Sequence, residues 1–137
     1  MDTNVALDHL ADRQPFAENA HRIFALAETG ELTVCVSSLS FSNLYYILRK
    51  LNGRAEALIL LGKLKQIVRI SAVTETKIQS ALSSSFSDFE DAIQYFTAKR
   101  ESEVSAILTR NKGDYVASEI PVLLPNEYLS NREPKIH

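Results

Sequence analysis

The chain has 137 residues, of which 45% are hydrophobic and 23% charged, with a formal net charge of -2. That length suits one core and not two ordinary domains, so a single domain over residues 1–137 is expected; the charge balance argues against a basic tail wrapping nucleic acid and against an acidic disordered segment. No apolar run approaches the roughly 18 residues that cross a bilayer, and Met1-Asp-Thr-Asn-Val5 has neither a basic nor an apolar leader region, so no membrane partner and a cytoplasmic location are expected.

The first element with a clear period runs from Ala17 to Glu28, where Ala20, Ile23, Phe24 and Ala27 recur at helical spacing between Pro15 and Gly30. Leu32-Thr-Val-Cys-Val36 is short, apolar and β-branched, as in a strand buried on both faces of a parallel sheet. The only cysteine, Cys35, lies inside it and reads as a buried strand residue.

Ser37 and Ser38 offer caps for a helix over about Phe41 to Leu51, with Leu44, Ile47, Leu48 and Leu51 on one face and Gly53 at its end. A helix over about Arg54 to Lys65 follows, then a strand at Ile67-Val-Arg-Ile70. The apolar run Ala55-Glu-Ala-Leu-Ile-Leu-Leu61 suits either burial in the core or an oligomer contact. Thr74 caps a helix to about Leu82, Ser83 to Ser85 break the chain, and the next helix runs from Asp88 to about Arg100.

Val104 to Thr109 reads as a strand, Asn111-Lys-Gly-Asp114 as a turn, and Ile120-Pro-Val-Leu123 as an edge strand that tolerates proline. His9 and His21 read as surface helical residues. Helices alternating with short apolar strands imply an α/β fold with a parallel sheet, whose ligands gather at the strands' carboxyl ends.

Several groups stand at those ends. Asp2 is a terminal acid that is either a solvated charge or part of a site. Asn43, in Ser40-Phe-Ser-Asn-Leu-Tyr-Tyr-Ile-Leu-Arg-Lys50, either binds helix-start amides or faces a site. Asp88 and Asp91, three apart, share a helix face, where a divalent cation or bulk solvent relieves their repulsion. Ser87-x-x-Glu90 also matches a capping box, which gives Glu90 to the cap and leaves Asp91 for a site. Thr109-Arg-Asn-Lys-Gly-Asp-Tyr115 is either a self-bonded turn or a mixed polar cluster. Phosphate-loop, zinc and nucleophile-elbow motifs are absent.

In this order, Asp2-Thr-Asn-Val5, Ser40 to Lys50, Asp88-Phe-Glu-Asp-Ala-Ile-Gln94 and Thr109 to Tyr115 resemble the blocks of the PIN-domain family, closest to bacterial VapC-type toxins. The resemblance implies a three-layer α/β/α sandwich with a parallel sheet. It also implies an endoribonuclease that uses Mg²⁺ or Mn²⁺ to hydrolyse RNA, an antitoxin partner and a possible homodimer.

Carried over by position, Asp2, Asp91, Asn111 and Asp114 are the implied catalytic residues, and Asp2, Asp91 and Asp88 the metal-binding ones. Asn4, Asn43 and Thr109 would line the site, while Arg110 and Lys112 adjoin it as candidate RNA-binding cations. Asn43 stands where many relatives carry glutamate, Asn111 where many carry aspartate, and Ser105 where some close relatives have aspartate. The family's first strand is reduced here to Met1 ahead of Asp2, so a truncated first strand is expected. The alternative to the enzyme is a degenerate, non-catalytic PIN domain that binds RNA or protein.

Overall fold

The computed structural model describes residues 1–101 and 103–132. In chain order the elements are α1 (Thr3–Leu10), α2 (Ala17–Glu28), β1 (Cys35–Ser37), α3 (Ser38–Asn52), α4 (Arg54–Ile67) and β2 (Arg69–Ser71). Then come α5 (Glu75–Leu82), α6 (Phe89–Lys99), β3 (Ile107–Leu108), a 3-10 turn (Lys112–Tyr115), β4 (Val122–Leu123) and α7 (Pro125–Arg132). The result is the expected α/β protein.

The strands form two parallel pairs. In β1 and β2, Cys35 faces Arg69 and Ser37 faces Ser71; in β3 and β4, Ile107 faces Val122 and Leu108 faces Leu123. Met1 and Asp2 lie between the pairs: the Met1 ammonium donates to the Cys35 carbonyl at 3.0 Å, and the Asp2 amide donates to the Leu108 carbonyl at 2.9 Å.

The main core gathers Leu7 of α1, Ile23 and Phe24 of α2, Leu44 and Leu48 of α3, Leu64 of α4 and Leu129 of α7 around Val34 and Val36. A second cluster joins Ala81 of α5 to Ala92 and Ile93 of α6, and a third joins Tyr95 of α6 to Ile107 and Tyr115. At about 25 cal/mol per Å², burying each large apolar side chain contributes about 1.5–3 kcal/mol, so the main core carries most of the stability.

Several boundaries depart from expectation. Strands expected at 32–36, 67–70, 104–109 and 120–123 contract to Cys35–Ser37, Arg69–Ser71, Ile107–Leu108 and Val122–Leu123. Pairing is confined to the ends nearest Met1 and Asp2, which tie the two ladders together. Helix α4 continues to Ile67 and displaces β2 along the chain. Helix α3 starts at Ser38 because the Ser37 hydroxyl accepts from the Ser40 amide at 3.1 Å.

Two helices had no counterpart in the periodicity. Helix α1 buries Val5, Ala6, Leu7 and Asp8 in succession, and α7 opens on Pro125, whose missing N–H costs nothing at a helix start. His9 is not a plain surface residue: its ring stacks on Phe24 at 4.3 Å, and burial, then His21, brings its pKa down to about 4. The run from Ala55 to Leu61 divides, with Ala57 buried and Leu58 and Ile59 exposed.

Candidate functional site

Asp2 sits where the chain leaves the bridge between the ladders and starts α1. Its backbone is extended, its carbonyl accepts from the Val5 amide, and the residue is 7% exposed. The Thr109 hydroxyl, fully buried just beyond β3, donates to Asp2 Oδ2 at 2.7 Å and accepts from the Asn111 amide at 3.0 Å. One threonine thus fixes both the carboxylate and the turn that follows.

Helix α6 presents the next two acids. Asp88 is its N-cap, with Oδ1 accepting from the Asp91 amide at 2.9 Å. This corrects the expected Ser87-x-x-Glu90 capping box: the cap is one residue later, because Asp88 has the extended backbone of a cap residue. Asp91 follows in the first turn, and the Tyr115 hydroxyl donates to its Oδ1 in a long bond of 3.4 Å. Asp114 reaches the same place from the 3-10 turn.

These acids ring an open cleft of roughly 490 Å³, lined also by Asn4, Asn43 and Gln94 and edged by Tyr46 and Ile47. Burial, followed by the negative charges of Asp88, Asp2 and Asp114, raises the Asp91 pKa to about 7. Burial and the Asp2 and Asp91 charges also push the Tyr115 phenol well above its ordinary value, so it stays a donor. The starts of α1 and α6 lie at the cleft, and their partial positive charge offsets part of the repulsion.

Among the described residues, no three His, Cys, Asp or Glu side chains converge closely enough to hold a metal ion as they stand. The donor chemistry nevertheless fits a hard cation: carboxylate and amide oxygens face one cleft, and Mg²⁺ keeps several waters that span gaps between ligands. Beyond the effect of burial, the part of Asp91's raised proton affinity that comes from Asp88, Asp2 and Asp114 expresses the same demand for positive charge.

The cleft therefore collects Asp2, Asn4, Asn43, Asp88, Asp91 and Asp114, with Thr109 supporting Asp2 from behind. Asn111 is exposed, and its side chain does not line the cleft. Arg110 does not line the cleft: it pairs with buried Asp8 at 2.9 Å, and its guanidinium lies 4.0 Å from the Phe16 ring centre. Lys112 pairs with Glu127 at 3.1 Å.

A network beside Asp2 was missed. The Gln94 amide donates to the Ser40 hydroxyl at 2.6 Å, and the Ser40 and Thr3 hydroxyls share a hydrogen bond of 2.7 Å. Gln94 was findable, since it lies three residues beyond Asp91 on the same helix face.

A family model for the PIN domain matches residues 1–113, from Met1 through the Asp2, Asp88 and Asp91 blocks to the turn before Asp114. The chain belongs to the PIN-domain family. No curated protein and no solved structure matches it. Within this PIN domain, no described helix is long and apolar enough to cross a membrane.

Proposed function

We propose that this PIN domain is a metal-dependent endoribonuclease, the toxin of a toxin–antitoxin pair acting on RNA in the cytoplasm, built on a three-layer α/β/α sandwich. The observation that carries this reading is the cleft in which four carboxylates gather and in which burial, then the charges of Asp88, Asp2 and Asp114, raise the proton affinity of Asp91. A site starved of positive charge is suited to Mg²⁺ or Mn²⁺ and, through the ion, to a phosphodiester.

In this reading Asp2 and Asp91 hold the ion, with Asp88 beside them, and Asp114 completes the catalytic set. When bound, the ion supplies a more acidic water and neutralises charge on the phosphoryl group. Thr109 keeps Asp2 in one orientation by donating to it, and Tyr115 does the same for Asp91. The Asn4 and Asn43 amides offer donors and acceptors to ribose or base. Asn111 acts through the turn that carries Asp114, its carbonyl accepting from the Asp114 amide at 3.1 Å.

Lys112 is the RNA-binding cation of this scheme, since an exposed pair such as Lys112–Glu127 exchanges readily for a phosphate. Exposed Leu51, Leu58 and Ile59 on α3 and α4 favour a protein partner there, an antitoxin or a second copy of the chain. The deciding experiment is cleavage of RNA by purified protein with Mg²⁺ or Mn²⁺. Activity should vanish with chelator and fall steeply with Asp91→Asn, and cleavage undiminished by both would refute the reading.

A second reading, a PIN domain that binds without cutting, is favoured by the amide of Asn43 in the cleft and by the lack of a convergent ligand group among the described residues. Calorimetry separates the two. Mn²⁺ binding that is lost in Asp2→Asn supports the enzyme, whereas RNA binding without Mn²⁺ binding supports the module.

A further inference from the structure

The acidic cleft has a second wall, and that wall carries no charge. Asn43, Tyr46 and Ile47 lie three and four residues apart on α3, so they share one helix face, and all three line the cleft. Another face of the same helix carries Leu44 and Leu48, both fully buried, which anchor α3 in the main core.

Tyr46 is 59% exposed and Ile47 36%, and neither packs against any of the three clusters of the core. Among the described residues they are the only exposed large apolar side chains that line the cleft. Tyr46 nevertheless has a fixed neighbour. The Tyr45 ring meets it in a T-shaped contact, with centroids 5.6 Å apart and planes at 66°, and Tyr45 in turn packs against the main core. A single contact of that kind steadies the Tyr46 ring and leaves at least one of its faces open to a ligand.

The two walls suit the two halves of a nucleotide. Asp2, Asp88, Asp91 and Asp114 repel a phosphate except through a bound cation, whereas the uncharged wall meets an uncharged base without that penalty. Room is sufficient. At about 30 Å³ per water, a six-coordinate hydrated ion takes well under half of the roughly 490 Å³ cleft, and a nucleoside fits in the remainder.

We propose that Tyr46 is the stacking platform for an unpaired nucleobase next to the phosphate held at the acidic wall, with Ile47 beside the base and the Asn43 amide at its edge. The inference rests on the ribonuclease reading for its choice of RNA as the ligand. A base reaches Tyr46 only by leaving its own stack, and the aromatic face then replaces the neighbour it has lost. Stacking accepts every base, so Tyr46 supplies affinity and fixes which phosphate lies over the acids, while the amide donors and acceptor of Asn43 are the groups on this wall that can tell one base edge from another.

The test is photocrosslinking of the full chain to a six-nucleotide strand of 5-iodouridine, irradiated with Mg²⁺ immediately after mixing, with the adduct located by peptide mass spectrometry. Tyr46 is expected to carry the main adduct. Affinity for the same strand should stay within about twofold in Tyr46→Phe and Tyr46→Trp and fall at least about fivefold in Tyr46→Ala and Tyr46→Ile, since one base stack is worth a factor of about 5 to 150. On an abasic strand of equal length, which keeps every phosphate, Tyr46→Ala should change nothing. Adducts confined to other residues, no binding of the strand, equal losses on the abasic strand, or an isoleucine that serves as well as the ring would each overturn the proposal. Cleavage is not among the readouts. A Tyr46 adduct on a strand that is never cut would remove the ribonuclease reading and leave the base site, and a strand cut without a Tyr46 adduct would do the reverse.

Discussion

Helix α1 carries a buried carboxylate near each end, and the two have opposite surroundings. Asp8, 1% exposed, lies between the Arg13 and Arg110 guanidinium groups at 3.0 and 2.9 Å. Asp2, 7% exposed, has a threonine hydroxyl for a partner and Asp91, Asp88 and Asp114 for company. A carboxylate answered by two cations within its own chain holds the fold together. A group of carboxylates without that answer leaves a demand for positive charge that a ligand can meet, and this difference separates scaffold from site on one eight-residue helix.

The largest effect that sharpens this contrast is at Asp8. Asp8→Ala leaves two guanidinium groups facing a buried gap, and removing one partner of a buried pair costs about 3–5 kcal/mol. Urea unfolding should show this loss, while Mn²⁺ binding to the folded fraction is retained. A loss below about 1 kcal/mol would show that Arg13 and Arg110 find solvent easily and that Asp8 is not structural.

Asp91→Asn should behave in the reverse way. Folding is kept, and RNA cleavage falls on the order of 100-fold, about 2.7 kcal/mol of barrier. The variant is expected to unfold no earlier than the parent at pH 8, because it removes a charge its neighbours oppose. Early unfolding would make Asp91 a structural residue like Asp8.

The third effect is the pH dependence of the ion-free protein. The Asp91 pKa is raised from 3.8 to about 7, so the folded state binds more protons than the unfolded state between those values. The stability from this group is full below about pH 4 and lost as pH rises through 7. With solvent screening of a partly exposed group, the loss is about 1–2 kcal/mol. His9, held down to about 4, has the opposite slope, its contribution being present above 6.5 and lost as pH falls. The Asp91 part is therefore read as the difference between the protein and Asp91→Asn in melts from pH 5 to 8. Millimolar Mg²⁺ should erase that difference at pH 8 and do less at pH 5, where the proton competes.

Much of this was legible in the sequence because the signals are local. The period of Ala20, Ile23, Phe24 and Ala27 gave α2 its observed limits, and the spacing of Asp88 and Asp91 put both acids at one cleft. What escaped depends on distant pairing. Arg110 adjoins the site in sequence, yet its side chain belongs to Asp8 and Phe16, which no local pattern reveals. The family resemblance implies a strand ending at Asp2, whereas Asp2 is also the N-cap of α1, a helix whose buried residues are consecutive rather than periodic. The strands were overdrawn because β-branched composition marks residues fit for a sheet, whereas a ladder also needs a neighbour at every position.

The smallest effect concerns Lys112, on the same 3-10 turn as Asp114. Its pair with Glu127 is exposed, and Glu127 also accepts from the Leu124 amide at 2.9 Å, so the carboxylate keeps a structural partner when the lysine is removed. Lys112→Ala is therefore expected to change stability by no more than about 0.5 kcal/mol. If Lys112 gives up Glu127 for a phosphate, the same variant weakens RNA binding and lowers the slope of log affinity against log salt by about 0.7–0.9. An unchanged slope would place Lys112 with Asp8 and Arg110 among the residues that hold the fold, and would leave the cleft's positive charge entirely to the metal ion.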